Sequence, residues 1–261
     1  MPRFFKILFL CAIFTPALIA PALANSDRTI EYDQNEEIFE GYWVQAECEN
    51  AQEAPLILIV HQWKGITEHE KDVAEKLSGQ CYNAFVIDMY GKDIRPDTNE
   101  EAAAQSSKYK NNPELARSRL NNAMAVAKKL SGSEKTAIIG YCFGGTMALE
   151  MARSGENIAG AVSFHGGLSS QAPVSNDSAI KASILVHHGD ADPLVKPEEV
   201  NSFLEEMRSA NADWVFIRYA DAVHAFTQEE AGDDPSTGVA YNEKADKRSW
   251  DITQEFFKDI F

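Results

Sequence analysis

Six residues, Gly140-Tyr141-Cys142-Phe143-Gly144-Gly145, follow directly on the run Thr136-Ala137-Ile138-Ile139, and this junction constrains the fold more than any other part of the chain. A β-branched strand that runs into a small-residue turn and restarts as a helix exposes the side chain at the corner. Glycines two before and two after the corner let strand and helix backbones pass closely. The pattern reads as a nucleophile elbow, with cysteine where serine is usual. A helix starting at Phe143 would aim free backbone N–H groups at the sulfur, which favours thiolate and, later, an oxyanion. The competing reading is a structural cysteine in an ordinary strand-turn-helix connection.

The first residues read as a secretory signal. Arg3 and Lys6 give a basic start, residues 7–20 an apolar stretch, and Ala22-Leu23-Ala24 small residues at a cleavage site. Pro16 interrupts the stretch, which is short for a bilayer span. Cleavage after Ala24 is therefore expected, with a mature start near Asn25, no membrane anchor afterwards, and a periplasmic or secreted location. The signal takes two of the 24 basic residues and none of the 40 acidic ones, so the net charge of −16 becomes −18. Such a surface repels nucleic acid and anionic lipid. Of four cysteines, Cys11 leaves with the signal. Cys48, Cys81 and Cys142 remain in an oxidising compartment, and a Cys48–Cys81 bridge with Cys142 free is the economical pairing.

From residue 55 apolar strands alternate with amphipathic helices, the pattern of a mostly parallel sheet covered on both faces. Strands are expected at 56–60, 84–87, 136–139, 158–164, 183–187 and 214–219, with an antiparallel start at 29–32 and 41–47. Residues 89–112 read as a polar loop with at most one helix. Leu120, Ala123, Met124, Ala127 and Leu130 recur at helical spacing and should face the sheet. No internal repeat or linker divides residues 25–261, which are expected to form one domain. This order of elements is that of an α/β-hydrolase.

In that fold the catalytic residues follow the chain order nucleophile, acid, histidine. After the candidate acids of His188-Gly189-Asp190-Ala191-Asp192-Pro193, His224 is the one histidine left. Asp192 is the favoured acid, with Asp190 as the alternative. The acid would hold the imidazole in the tautomer that accepts the thiol proton. Oxyanion donors should be the Phe143 N–H and an N–H of His61-Gln62-Trp63-Lys64-Gly65, with Trp63 favoured and Gln62 competing. His61 is read as orienting this loop. His187 and His188 are adjacent on a strand and face opposite sides, which argues against a joint metal site. No Cys/His/Asp spacing suggests a metal, and no cofactor is expected.

With these residues in hand, the chain resembles the dienelactone hydrolase family, cysteine hydrolases also called carboxymethylenebutenolidases. The resemblance rests on Val60-His61-Gln62-Trp63-Lys64-Gly65, Asp88-Met89-Tyr90-Gly91, the elbow, the stretch 189–193 and the His224 loop. Near the end it also rests on Ala240-Tyr241-Asn242, Ala245-Asp246 and Arg248-Ser249-Trp250. It implies Cys142, Asp192 and His224 as a triad, with Trp63 and Phe143 at the oxyanion. It also marks departures. In well-studied members an acidic residue stands at the place of Gln62 and holds the resting nucleophile, and two arginines that grip a substrate carboxylate fall at Lys92 and Gln228. The dienelactone itself then becomes a doubtful substrate, and a less anionic ester, lactone or thioester is equally expected. A monomeric hydrolase acting on a small molecule is the leading expectation. An acyltransferase on the same residues, or a binding or stress-related protein on a retained scaffold, are the alternatives. Because strands 41–47 and 84–87 are antiparallel neighbours in such a fold, the ends carrying Cys48 and Cys81 should meet.

Overall fold

The computed structural model describes residues 28–174 and 179–261; the expected signal, residues 1–24, lies outside them. Eight strands form one sheet in the order β1-β2-β4-β3-β5-β6-β7-β8. They are β1 (Thr29–Gln34), β2 (Glu37–Val44), β3 (Leu56–Val60), β4 (Asn83–Ile87), β5 (Thr136–Tyr141), β6 (Gly160–Phe164), β7 (Ser183–Gly189) and β8 (Trp214–Tyr219). From β4 to β8 every pairing is parallel, whereas β1 and β2 join antiparallel. The central strands are buried along their whole length, as in Leu-Ile-Leu-Ile-Val of β3, because helices cover both faces. Alternate residues of β3 divide between two cores: Leu56, Leu58 and Val60 on one face, Ile57 and Ile59 on the other.

The first core packs under α2 (Asn99–Lys110), α3 (Pro113–Ser131), α4 (Phe143–Arg153) and α5 (Pro197–Ser209), and the second under α1 (Glu68–Ser78) and α6 (Glu243–Ile260). Helix α3 begins where its sequence dictates. The Asn112 side chain accepts from Leu115 N–H at 3.1 Å, and Pro113 needs no donor in the first turn. Of its expected sheet-facing residues, Leu120, Ala123, Met124 and Ala127 are buried, but Leu130 is exposed. It falls in the last turn of α3.

The segment 89–112, expected to be mainly loop, contains the whole of α2. A capping box starts it: Thr98 Oγ1 accepts from Glu101 N–H at 3.2 Å, and the Glu101 carboxylate accepts from Thr98 N–H. The apolar periodicity is faint because only Ala102, Ser106 and Tyr109 are buried. Cys48 and Cys81 form a disulfide, with Cα atoms 5.5 Å apart. The register explains their meeting: Val44 at the end of β2 pairs with Ala84 near the start of β4, so the flanking loops run side by side.

Candidate active site

The elbow is built by close backbone passage. A Cβ on Gly140 would lie 2.1 Å from the Gly144 carbonyl oxygen, and one on Gly144 would lie 2.1 Å from that of Val60, so neither position tolerates a side chain. Between them Cys142 sits at φ 53°, ψ −114°, a conformation costly for a residue with a Cβ. Its N–H is held twice, by the Phe164 carbonyl at 3.0 Å and by His165 Nδ1 at 3.2 Å. The strained corner is thus pinned from below, with Sγ above α4.

Three side chains from three loops at the carboxyl edge of the sheet form a hydrogen-bonded row. His224 Nε2 lies 3.1 Å from Cys142 Sγ, and His224 Nδ1 lies 2.9 Å from Asp192 Oδ2. Asp192 is 6 % exposed and His224 8 %. The second carboxylate oxygen of Asp192 accepts from Leu194 N–H at 2.8 Å, which fixes its rotamer. Asp190, the competing acid, instead reaches the surface and pairs with Arg218. Burial pulls the His224 pKa down, but hydrogen bonds to Asp192 and Cys142, and the charges of both, outweigh it and push it up to about 10. This row can hold a proton on the imidazole beside a sulfur anion.

The two candidate oxyanion donors differ from their competitor in one respect. Gln62 N–H is occupied by Glu70 Oε1 at 3.2 Å. Trp63 N–H and Phe143 N–H have no acceptor among the described residues, and both residues line the cavity that Cys142 opens into. Two unpaired backbone donors therefore belong to residues that line the same cavity as Cys142. His61 is wholly buried, accepts Met89 N–H at 3.1 Å and contacts the Gln62 carbonyl, which fixes the loop between β3 and α1.

The cavity measures about 630 Å³. Gln62 and Gln228 both line it and touch, the Gln228 side-chain amide donating to Gln62 Oε1. Lys92, expected in the pocket, is not part of it. Gly91 at φ 120° turns the chain back over β2, where Lys92 N–H binds the Ile38 carbonyl at 2.9 Å and its ammonium pairs with Glu31, with Glu40 at 3.9 Å. Lys110, on the cavity face of α2, is the sole lysine or arginine in the lining. Leu194 and Val239, 60 % and 38 % exposed, give the lining an apolar lip.

Sequence reasoning missed the α2 wall, with Ala103, Ser106, Ser107, Lys110 and Asn111 at helical spacing; the Thr98-to-Glu101 capping box was the available signal. It also missed His165, which is buried beneath the elbow with Nε2 2.9 Å from Thr227 Oγ1. Burial first, and then neighbouring histidines, lower its pKa well below the usual value. It is neutral, and since Nδ1 accepts, its Nε2–H donates to Thr227. His187 and His188 point to opposite faces: His187 lies between the hydroxyls of Tyr219 and Thr253, and His188 against Phe216.

The sheet order, the elbow and the placement of the row after β5, β7 and β8 define an α/β-hydrolase fold. The chain belongs to the dienelactone hydrolase family, whose model matches residues 39–261. A solved structure called m3DLH is 29 % identical with a TM-score of 0.84, over 90 % of this chain and 98 % of that one. A dienelactone hydrolase-like promiscuous phosphotriesterase from metagenomic libraries is 28 % identical with a TM-score of 0.79, over 90 % and 98 % of the two chains. An uncharacterized Caenorhabditis elegans protein is 41 % identical over 129 residues, 49 % of this chain and 82 % of that protein.

Proposed function

We propose that this chain is a cysteine-dependent hydrolase of carboxylic esters, lactones or thioesters, with Cys142 as nucleophile, His224 as general base and acid, and Asp192 as its orienting acid. The observation that carries this reading is the row Asp192–His224–Cys142 ending beside two unpaired backbone N–H groups in one cavity. His224 holds the thiol proton as imidazolium, and the thiolate adds to the substrate carbonyl. The N–H groups of Trp63 and Phe143 receive the resulting oxyanion. As the intermediate collapses, the imidazolium gives its proton to the departing alkoxide or thiolate, leaving a thioester on Cys142. Water, deprotonated by the same imidazole, then adds to the thioester and expels the sulfur.

The lining favours a substrate of low charge. Where the family resemblance leads one to expect an acid and an arginine, a neutral amide pair stands at Gln62 and Gln228, and Lys92 faces elsewhere. The apolar lip of Leu194 and Val239 suits an alkyl or aryl part of the ester. The mature protein, residues 25–261, is read as one monomeric domain exported after cleavage of residues 1–24, a compartment compatible with the Cys48–Cys81 bridge. Among the described residues no helix is long and apolar enough to cross a membrane. A panel of p-nitrophenyl esters and small lactones, assayed with wild type and Cys142→Ala, tests the reading. Turnover abolished by the substitution is expected; turnover that survives it, or none in either protein, refutes it.

A further inference from the structure

A second cavity, of about 340 Å³, lies on the opposite side of the His224 loop and shares no lining residue with the first. Its walls come from α1, α6, the ends of β5 and β6, and the segment that follows Phe226. The loop separates the two so closely that Thr227 lines one and Gln228 the other.

The charge of this cavity is one-sided. Asp72, Glu229, Glu230 and Asp246 line it, against Lys76 alone among lysines and arginines, and none of the four carboxylates is in a salt bridge among the described residues. A second, independent observation concerns neutral groups. Tyr141 is 2 % exposed and lines the cavity, yet its hydroxyl has no hydrogen-bond partner among the described residues. Nε2 of His69, on the same wall, is likewise buried without a partner. An unpartnered hydroxyl on a buried side chain and a buried, unpartnered imidazole nitrogen thus sit with carboxylates that lack a salt bridge, around a space large enough for a small molecule. Of these carboxylates, Asp246 also accepts from the Tyr241 hydroxyl at 3.1 Å. Burial raises the Asp246 pKa, outweighing the Tyr241 hydrogen bond and the Lys76 charge that lower it.

We infer that this cavity binds a compact organic cation, a primary ammonium or guanidinium, through Asp246, Glu229 and Glu230, with the Tyr141 hydroxyl and His69 Nε2 completing its hydrogen bonds. The wall already displays this chemistry, because Lys76 Nζ rests over the Trp250 ring at 3.8 Å. A metal ion is a poorer match: among the described residues no three ligating side chains converge tightly enough to hold one. A planar or tetrahedral cation with several N–H donors suits carboxylates spread around a wall. The site is independent of the proposed hydrolysis.

Agmatine, a four-carbon chain with a guanidinium at one end and an ammonium at the other, is the probe, titrated calorimetrically into the full mature protein at low ionic strength. Saturable binding, one per chain, is expected, with none for uncharged 1,4-butanediol. Asp246→Asn should weaken it by about tenfold or more, the effect of losing one charge-assisted contact. Exposed Glu230→Gln, which leaves the buried wall intact, and Tyr141→Phe should each weaken it severalfold. Protein alkylated at Cys142 should bind agmatine unchanged. Absence of saturation at tens of millimolar, or equal affinity in wild type, Asp246→Asn and Glu230→Gln, overturns the inference. So does loss of binding on alkylation, which would place the ligand in the first cavity.

Discussion

The side-chain amide of Gln228 donates to the side-chain carbonyl of Gln62, joining the loop after β3 to the loop that carries His224. These are two of the three positions where the family resemblance leads one to expect charge, an acid and an arginine, and both are amides. Their contact explains why they differ together: a carboxylate or a guanidinium alone would be partly buried without a counter-charge.

Gln62→Glu and Gln228→Arg should accordingly be coupled. Each single variant should unfold at lower urea than wild type, and the double variant should recover, with a coupling free energy of about 1 to 3 kcal/mol. Urea unfolding of the four proteins measures it. Additive effects would show that the contact seen here carries no energy. The double variant should also shift relative kcat/KM from neutral esters towards those bearing a carboxylate.

Asp192 and Asp190 should separate sharply in kinetics. Asp192 holds His224 Nδ1, so Asp192→Asn presents the wrong tautomer partner and should lower kcat by about four orders of magnitude, as in other triads. Asp190 pairs with Arg218 at the surface, and Asp190→Asn should leave kcat within a few-fold of wild type. Comparable losses in the two variants would return the acid to the open question it is in the sequence.

This pair also shows what a sequence can and cannot carry. The strand and helix order, the elbow and the single histidine after the acid loop were legible because each depends on local periodicity or chain order. The preference for Asp192 over Asp190 was weaker, because it depends on which way a turn two residues long aims each carboxylate. Lys92 was misplaced for the same kind of reason: one backbone dihedral, at Gly91, sends its side chain to Glu31 instead of the cavity. The α2 wall was obscured by composition, since a helix that buries mostly small and polar residues leaves little apolar rhythm. Long-range consequences of strand order, such as the Cys48–Cys81 contact, were easier to foresee than side-chain direction.

Alkylation of Cys142 reports the state of the row without any substrate. With imidazolium beside sulfur, iodoacetamide should modify Cys142 rapidly at neutral pH. His224→Ala should slow the reaction by about tenfold or more. Mass-spectrometric time courses give both rates. Equal rates would mean that His224 does not activate the sulfur at rest.

The Cys48–Cys81 bridge lies at the opposite end of the sheet from the elbow, before β4 begins, whereas Cys142 follows the end of β5. It closes a loop of 33 residues, for which the chain-entropy estimate gives about 3 to 4 kcal/mol. The Cys48→Ala, Cys81→Ala double variant should lose about that much unfolding free energy in urea while keeping its kcat. A parallel loss of activity in protein that remains folded would reveal a link between bridge and site that the fold does not suggest.

The proton on His224 ties stability to pH. Folding raises its pKa from 6.5 to about 10, since the bonds to Asp192 and Cys142 outweigh burial. The folded chain therefore holds this proton more tightly than the unfolded one. The stabilisation is fully present below the unfolded value and is lost as pH rises through the folded one. Lysines and tyrosines also titrate at the alkaline end, so the informative quantity is the difference between proteins. Wild type should lose unfolding free energy towards pH 10, and Asp192→Asn, which lacks the strongest of the raising contacts, should begin that loss at lower pH. Urea unfolding across the interval measures both curves. Superimposable profiles would mean that Asp192 does not hold the His224 proton, and the acid-to-imidazole end of the row would lose its energetic basis.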